Sequence, residues 1–126
     1  MSEPAVDLDY EKVLQDARER TGLSDFGDGA FREPLRRLLQ GFEEEANLNR
    51  LGRAIQRERI VGFLVTHLQF EAYWKNYPAI AQEVVAQPVV IIGLGRTGTT
   101  MLQRLLAANP RFYSTLWWEA RFPVPF

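Results

Sequence analysis

The sequence predicts an α/β fold with a parallel sheet, preceded by a helical N-terminal region. Three observations carry this expectation. Residues 1–87 contain three stretches in which apolar side chains recur at helical spacing. Pro88-Val-Val-Ile-Ile92 is a short, unbroken, β-branched run, the pattern of a strand buried on both faces of a parallel sheet. A glycine-rich loop and another amphipathic stretch follow at once, so residues 88–108 read as strand, loop and helix.

The first helix is expected over about 8–20, with Leu8, Val13 or Leu14, and Ala17 at helical spacing. Thr21-Gly22 stops it, because glycine enters the left-handed conformation after a helix without strain. "SDFGDGA" is a turn-rich joint. The second helix is expected over 31–46, with Leu35, Leu38, Leu39 and Phe42 on one face. Asn47 and Asn49 are candidate caps for a longer helix over 49–74, whose stripe runs from Leu51 and Ile55 through Ile60, Leu64 and His67 to Trp74. Tyr77-Pro78 interrupts it, and a short helical turn is expected over 79–85. The second region, 88–126, then begins with a strand over 88–92, a loop over 93–98 and a helix over 98–108, which Asn109-Pro110 ends. Phe112 to Trp118 is a second strand candidate. A buried parallel strand needs neighbours on both edges, and one clear strand plus one candidate cannot supply them. The chain is therefore expected to be the N-terminal part, a fragment, of a larger α/β protein.

At 126 residues there is room for one ordinary domain. Apolar residues make up 46% and charged residues 25%, which excludes a disordered chain. No apolar run approaches the roughly 18 residues of a membrane span, and the acidic start MSEPAVDLDYEK lacks the order of a signal peptide. A cytoplasmic location is the default expectation. There are no cysteines and one histidine, so neither a disulfide framework nor a metal-ligand cluster is indicated. Charge is unevenly spread: residues 1–87 carry 11 Lys and Arg against 15 Asp and Glu, whereas residues 88–126 carry Arg96, Arg104, Arg111 and Arg121 against Glu119 alone. A nucleic-acid binder would show a denser basic stripe, and this small basic end suits a small anion better.

"VVIIGLGRTGTT", residues 89–100, admits three phosphate-binding patterns. Gly93, Gly95 and Gly98 spell a dinucleotide fingerprint, with Glu119 near the distance at which an acidic ribose partner is wanted. Gly93 to Gly98 also reads as a P-loop in which Thr99 occupies the lysine slot. The third reading is a cationic loop, Arg96-Thr97-Gly98-Thr99-Thr100, in which oriented N–H groups, tandem hydroxyls and a guanidinium surround one anion. The moved positive charge counts against ATP or GTP hydrolysis, and the threonines and arginine give a dinucleotide fold no benefit.

Pro88-Val-Val-Ile-Ile-Gly-Leu-Gly-Arg-Thr-Gly-Thr-Thr-Met-Leu resembles the 5′-phosphosulfate loop of sulfotransferases that use 3′-phosphoadenosine 5′-phosphosulfate (PAPS), with Asn109-Pro110 where that family breaks its loop helix. "TGLSDFGDGAFREPL" and "EEANLNRLGRAIQRERIV" resemble the helical N-terminal region of a bacterial sulfotransferase family. The resemblance implies a P-loop-like three-layer sandwich, PAPS as co-substrate, no metal, and transfer of a sulfuryl group to a small-molecule or lipid-like hydroxyl acceptor. It implies that Arg96 contacts the phosphate and leaving oxygen, while Gly95, Arg96, Thr97, Gly98, Thr99 and Thr100 bind the 5′-phosphate. Gly95 departs from the pattern, since relatives often carry proline there. The Arg and Ser that would hold the 3′-phosphate are expected beyond Phe126, so the isolated chain is expected to be inactive.

Glu119 is the candidate general base. Glu119-Ala120-Arg121 resembles the Glu-x-Arg found after the loop helix of some sulfotransferases, about two residues further along; the alternative is a Glu–Arg pair fixing the Pro-rich turn. His67 sits on the apolar stripe, where a structural histidine is expected rather than a catalytic one. Trp117 and Trp118 are expected as core. Two other classes remain open: a P-loop kinase or NTPase relative, and a short helical module whose N-terminal helices associate into a homo-oligomer.

Overall fold

The computed structural model describes residues 6–124. These divide into two units, one ending at Pro78 and one beginning at Ala79.

The first unit is three helices. Helix α1 spans Tyr10–Thr21 and starts on Asp9, whose carboxylate accepts from the Lys12 N–H at 3.0 Å. It ends on Gly22, whose φ of 68° and N–H bond to the Arg18 carbonyl at 2.7 Å make the left-handed cap that its sequence signals. The joint after it is built from two Asx turns, Asp25 accepting from Gly27 N–H and Asp28 from Ala30 N–H. Helix α2 spans Arg32–Glu44, and α3 spans Arg50–Asn76 with Asn49 accepting from Gly52 N–H at 2.8 Å. The other cap candidate, Asn47, adopts a positive φ of 44° in the linker instead.

One core joins the three helices: Leu8, Val13, Leu14 and Ala17 meet Phe26, Leu35, Leu39, Ile60, Val61, Leu64 and Leu68. His67 sits at its edge, with Nε2 3.1 Å from the Phe26 carbonyl and its ring beside Phe26 and Phe31, a satisfied structural position. Around the rim, Arg20 bridges Asp16 and Glu58 while Arg57 reaches the second Asp16 oxygen at 2.6 Å, tying α1 to α3. Arg53 pairs with Glu43 and donates to the Val6 carbonyl.

The second unit overturns the predicted fold class. Among the described residues there is no strand and no sheet, so the structure is helical and is not a three-layer α/β sandwich. After a 3-10 turn at Pro78–Gln82, residues 83–98 run without regular pairing; α4 spans Thr99–Ala107 and α5 spans Trp117–Arg121. Val89, Val90 and Ile92, expected inside a sheet, are 59%, 73% and 90% exposed. A β-branched run supplies apolar surface and extended preference, but a strand also requires a backbone partner. No backbone hydrogen bond among the described residues pairs 88–92 with a neighbour. The second strand candidate is irregular from Phe112 to Leu116 and helical from Trp117. Trp117 and Trp118 are exposed, not core, because no layer among the described residues covers them.

Candidate functional site

The loop between Gly93 and Gly98 is shaped by local chemistry. The Thr97 hydroxyl turns back to donate to the Leu94 carbonyl at 2.7 Å, closing the turn from inside. Gly93 is needed for close approach: a Cβ there would lie 2.7 Å from Thr99 Cγ2 and 2.8 Å from Thr97 Oγ1. Gly98 is needed for conformation, because its φ is 88° at the N-cap of α4. Gly95 answers neither demand, since a Cβ at that position meets nothing within 4 Å. None of the three glycines is thus used as a dinucleotide fingerprint would use it, with the first for the tight turn and the third for close packing.

Arg96 is the other special residue. Its φ is 68°, an uncommon conformation for a side chain other than Gly, Asn or Asp, and such conformations concentrate at functional sites. With Arg96 and Gly98 both left-handed and Thr97 between them not, the backbone alternates in hand, the pattern that turns successive N–H groups toward one anion.

Helix α4 adds its own donors. Its first hydrogen bond runs from Leu102 N–H to the Gly98 carbonyl at 3.0 Å, and no side chain caps it. The N–H groups of Thr99, Thr100 and Met101 therefore lack intrahelical acceptors and sit at the positive end of the helix dipole. A concavity of about 420 Å³ lies against this end, lined by Arg96, Gly98, Thr99, Thr100, Met101 and Arg104. Of the residues named from sequence, Arg96, Gly98, Thr99 and Thr100 are brought together on it; Thr97 shapes the loop without lining it, and Gly95 does not line it either. Met101 and Arg104 were not expected there. The signal lay in their spacing: Arg104 follows Thr100 by one helical turn and so shares its face.

Glu119 is held elsewhere in the same unit. Its two carboxylate oxygens accept from the Leu116 N–H and the Tyr113 hydroxyl, each at 2.7 Å. The Leu116 N–H, and after it the Tyr113 hydroxyl, hold this carboxyl below its ordinary range, while the same hydroxyl bond raises Tyr113. Glu119 does not line the concavity.

Residues 88–125, which contain this loop, match the model of the sulfotransferase family. This segment belongs to the sulfotransferase family. The likeness to a sulfotransferase extends beyond it: the crystal structure of sulfotransferase STF1 from Mycobacterium tuberculosis H37Rv is 35% identical and superimposes over 98% of the chain with a TM-score of 0.87. The chain spans 34% of that sulfotransferase. No curated protein sequence matches the chain. Among the described residues no helix is long and apolar enough to cross a membrane.

Proposed function

We propose that the chain carries the donor-binding loop of a PAPS-dependent sulfotransferase. The observation that carries this reading is the concavity at the α4 N-terminus, where Arg96 and three free N–H groups converge inside the segment that matches the family. In the reaction, the acceptor hydroxyl oxygen bonds to sulfur as the bond from sulfur to the bridging oxygen breaks. The 5′-phosphate leaves with that electron pair, and the hydroxyl proton passes to a base.

Negative charge grows on the bridging oxygen, and Arg96 supplies a fixed cation beside it. The loop N–H groups and the Thr99 and Thr100 hydroxyls bind the phosphate oxygens. Donors already oriented toward the developing charge need no reorganisation during transfer, which is where a few kcal/mol of barrier lowering arises. Glu119 is the proposed base; it is ionised at neutral pH, and the Leu116 and Tyr113 hydrogen bonds that lower its pKa must loosen for it to take the proton. The acceptor is a small-molecule or lipid-like alcohol.

The test is equilibrium binding of radiolabelled PAPS to the chain. Binding should survive EDTA, resist competition by MgATP, weaken about 10- to 100-fold in Arg96→Ala, and stay unchanged in Glu119→Gln. Displacement of PAPS by MgATP, or hydrolysis of ATP, would replace this reading with a kinase or NTPase one.

A further inference from the structure

Helix α2 carries two features that its own chain does not explain. Gly41 lies inside the helix, where glycine is unfavourable relative to alanine. It does not stop the helix, which runs on to Glu44, and the left-handed residue that follows is Asn47. A Cβ at Gly41 would meet nothing within 4 Å, so no neighbour in the chain requires the missing side chain. The second feature is charge. Arg36 and Arg37 lie in the first half of α2 and Glu43, Glu44 and Glu45 at its end, the reverse of what the helix dipole favours. Arg36 sits over the Tyr10 ring, and Glu43 pairs with Arg53. Arg37 has an exposed pair with Glu33 one turn back, and among the described residues the Glu45 carboxylate has no ion-pair partner.

Both features meet on one surface. Arg37, Gly41 and Glu45 follow at four-residue spacing and share a helix face. With Leu38, Phe42 and Ala46 they line a concavity of about 530 Å³, and Leu38 is 47% exposed there. The cation and the anion stand about 6 Å to either side of the glycine along the helix axis. We propose that this face of α2 pairs antiparallel with the same face of a second copy of the chain. A two-fold axis at Gly41 sets Arg37 of each copy opposite Glu45 of the other, lets the two backbones approach closely, and covers Leu38. It also brings the acidic end of each helix beside the basic first half of its partner, which offsets the reversed charge. A second copy is the occupant because the surface is its own complement: reversing the helix exchanges cation for anion about the glycine. One helix crossing covers less than the roughly 1,200 Å² of a stable interface, so the dimer is weak, with a Kd on the order of 100 μM. This surface belongs to the three-helix unit and is independent of the donor-site reading.

Sedimentation equilibrium of the chain, at concentrations spanning that constant, should show monomer and dimer in exchange. Gly41→Leu should weaken the dimer at least about tenfold by filling the crossing point. Its urea midpoint should stay level or rise, because leucine favours a helix more than glycine does. Arg37→Glu and Glu45→Arg should each weaken self-association about tenfold through like charges set face to face. An equimolar mixture of those two variants should regain it, because the mixed pair alone places opposite charges at both contacts. A chain that stays monomeric throughout overturns the proposal, as does a dimer whose Kd none of the three substitutions moves. A lower urea midpoint in Gly41→Leu would show that the glycine serves the chain's own packing, and a mixture that fails to associate would show that the charges do not meet. Either result overturns it as well.

Discussion

The two units divide stability and chemistry between them. All eleven buried hydrophobic residues of the described chain lie between Leu8 and Leu68, in the three-helix unit. Residues 79–124 bury none, yet the concavity at the α4 N-terminus and the family match both lie there. The first unit is held by side-chain interlock, with ion pairs at its rim. The loop of the second is held by backbone geometry: two left-handed residues, one hydroxyl bonded back to its own turn, and a helix start without a cap. A binding loop of this kind needs few apolar contacts to keep its shape, because the hand of its backbone is encoded residue by residue.

The sharpest way to break this contrast is to remove equal amounts of apolar surface from each unit. Leu68, fully buried in the three-helix core, and Leu105, 64% exposed on α4, are both helical leucines. Leu68→Ala should cost about 2–5 kcal/mol in urea unfolding, as buried leucine truncations do. Leu105→Ala should cost less than about 0.5 kcal/mol. Comparable losses would mean that the second unit holds a core after all.

The same contrast explains what could be read in advance. Helix signals are local: the Asp9 and Asn49 caps, the Gly22 stop and the apolar stripes of α2 and α3 are each written within a few residues of where they act. The loop was legible for the same reason, since Arg96, Gly98 and the two threonines are neighbours in sequence. The sheet was not. Val89 to Ile92 has the composition of a buried strand, but pairing is a relation between distant segments, and no partner among the described residues satisfies it. Glu119 shows the intermediate case. Its position in the sequence is clear, whereas its engagement by Tyr113 and Leu116 depends on a turn between 113 and 119 that propensity read as a strand.

Within the loop, the glycines separate backbone hand from mere flexibility. Gly98 has φ of 88°, so Gly98→Ala must either strain the N-cap of α4 or move it, at about 1–2 kcal/mol. That cost should appear as roughly 5- to 30-fold weaker PAPS binding, with the unfolding midpoint of the helical unit unmoved. Gly95→Ala, which has open space for its methyl group, should bind PAPS within about twofold of the unsubstituted chain. Equal effects at the two positions would show that loop flexibility, not the left-handed start of α4, is what the ligand requires.

The smallest effect concerns the rim of the helical unit. Asp16 accepts from Arg20 within α1 and from Arg57 across on α3, and the Arg20 bond, followed by the Arg57 bond, lowers its pKa against the opposing cost of partial burial. A carboxylate whose folded pKa is depressed binds fewer protons folded than unfolded, so its contribution is present above the unfolded value and lost as pH falls through the folded one. Solvent still reaches all three side chains, which limits the contribution to about 0.5–1 kcal/mol. Asp16→Asn should therefore be less stable than the unsubstituted chain by that amount at neutral pH. The difference should shrink as pH drops below the ordinary aspartate value of about 3.9, and 1 M salt at pH 7 should reduce it as well, because screening reaches an exposed pair. A gap between the two proteins that stays constant from pH 7 to pH 2 would show that Asp16 acts through shape and hydrogen bonding alone. The rim charge would then contribute nothing to a unit already held by its core.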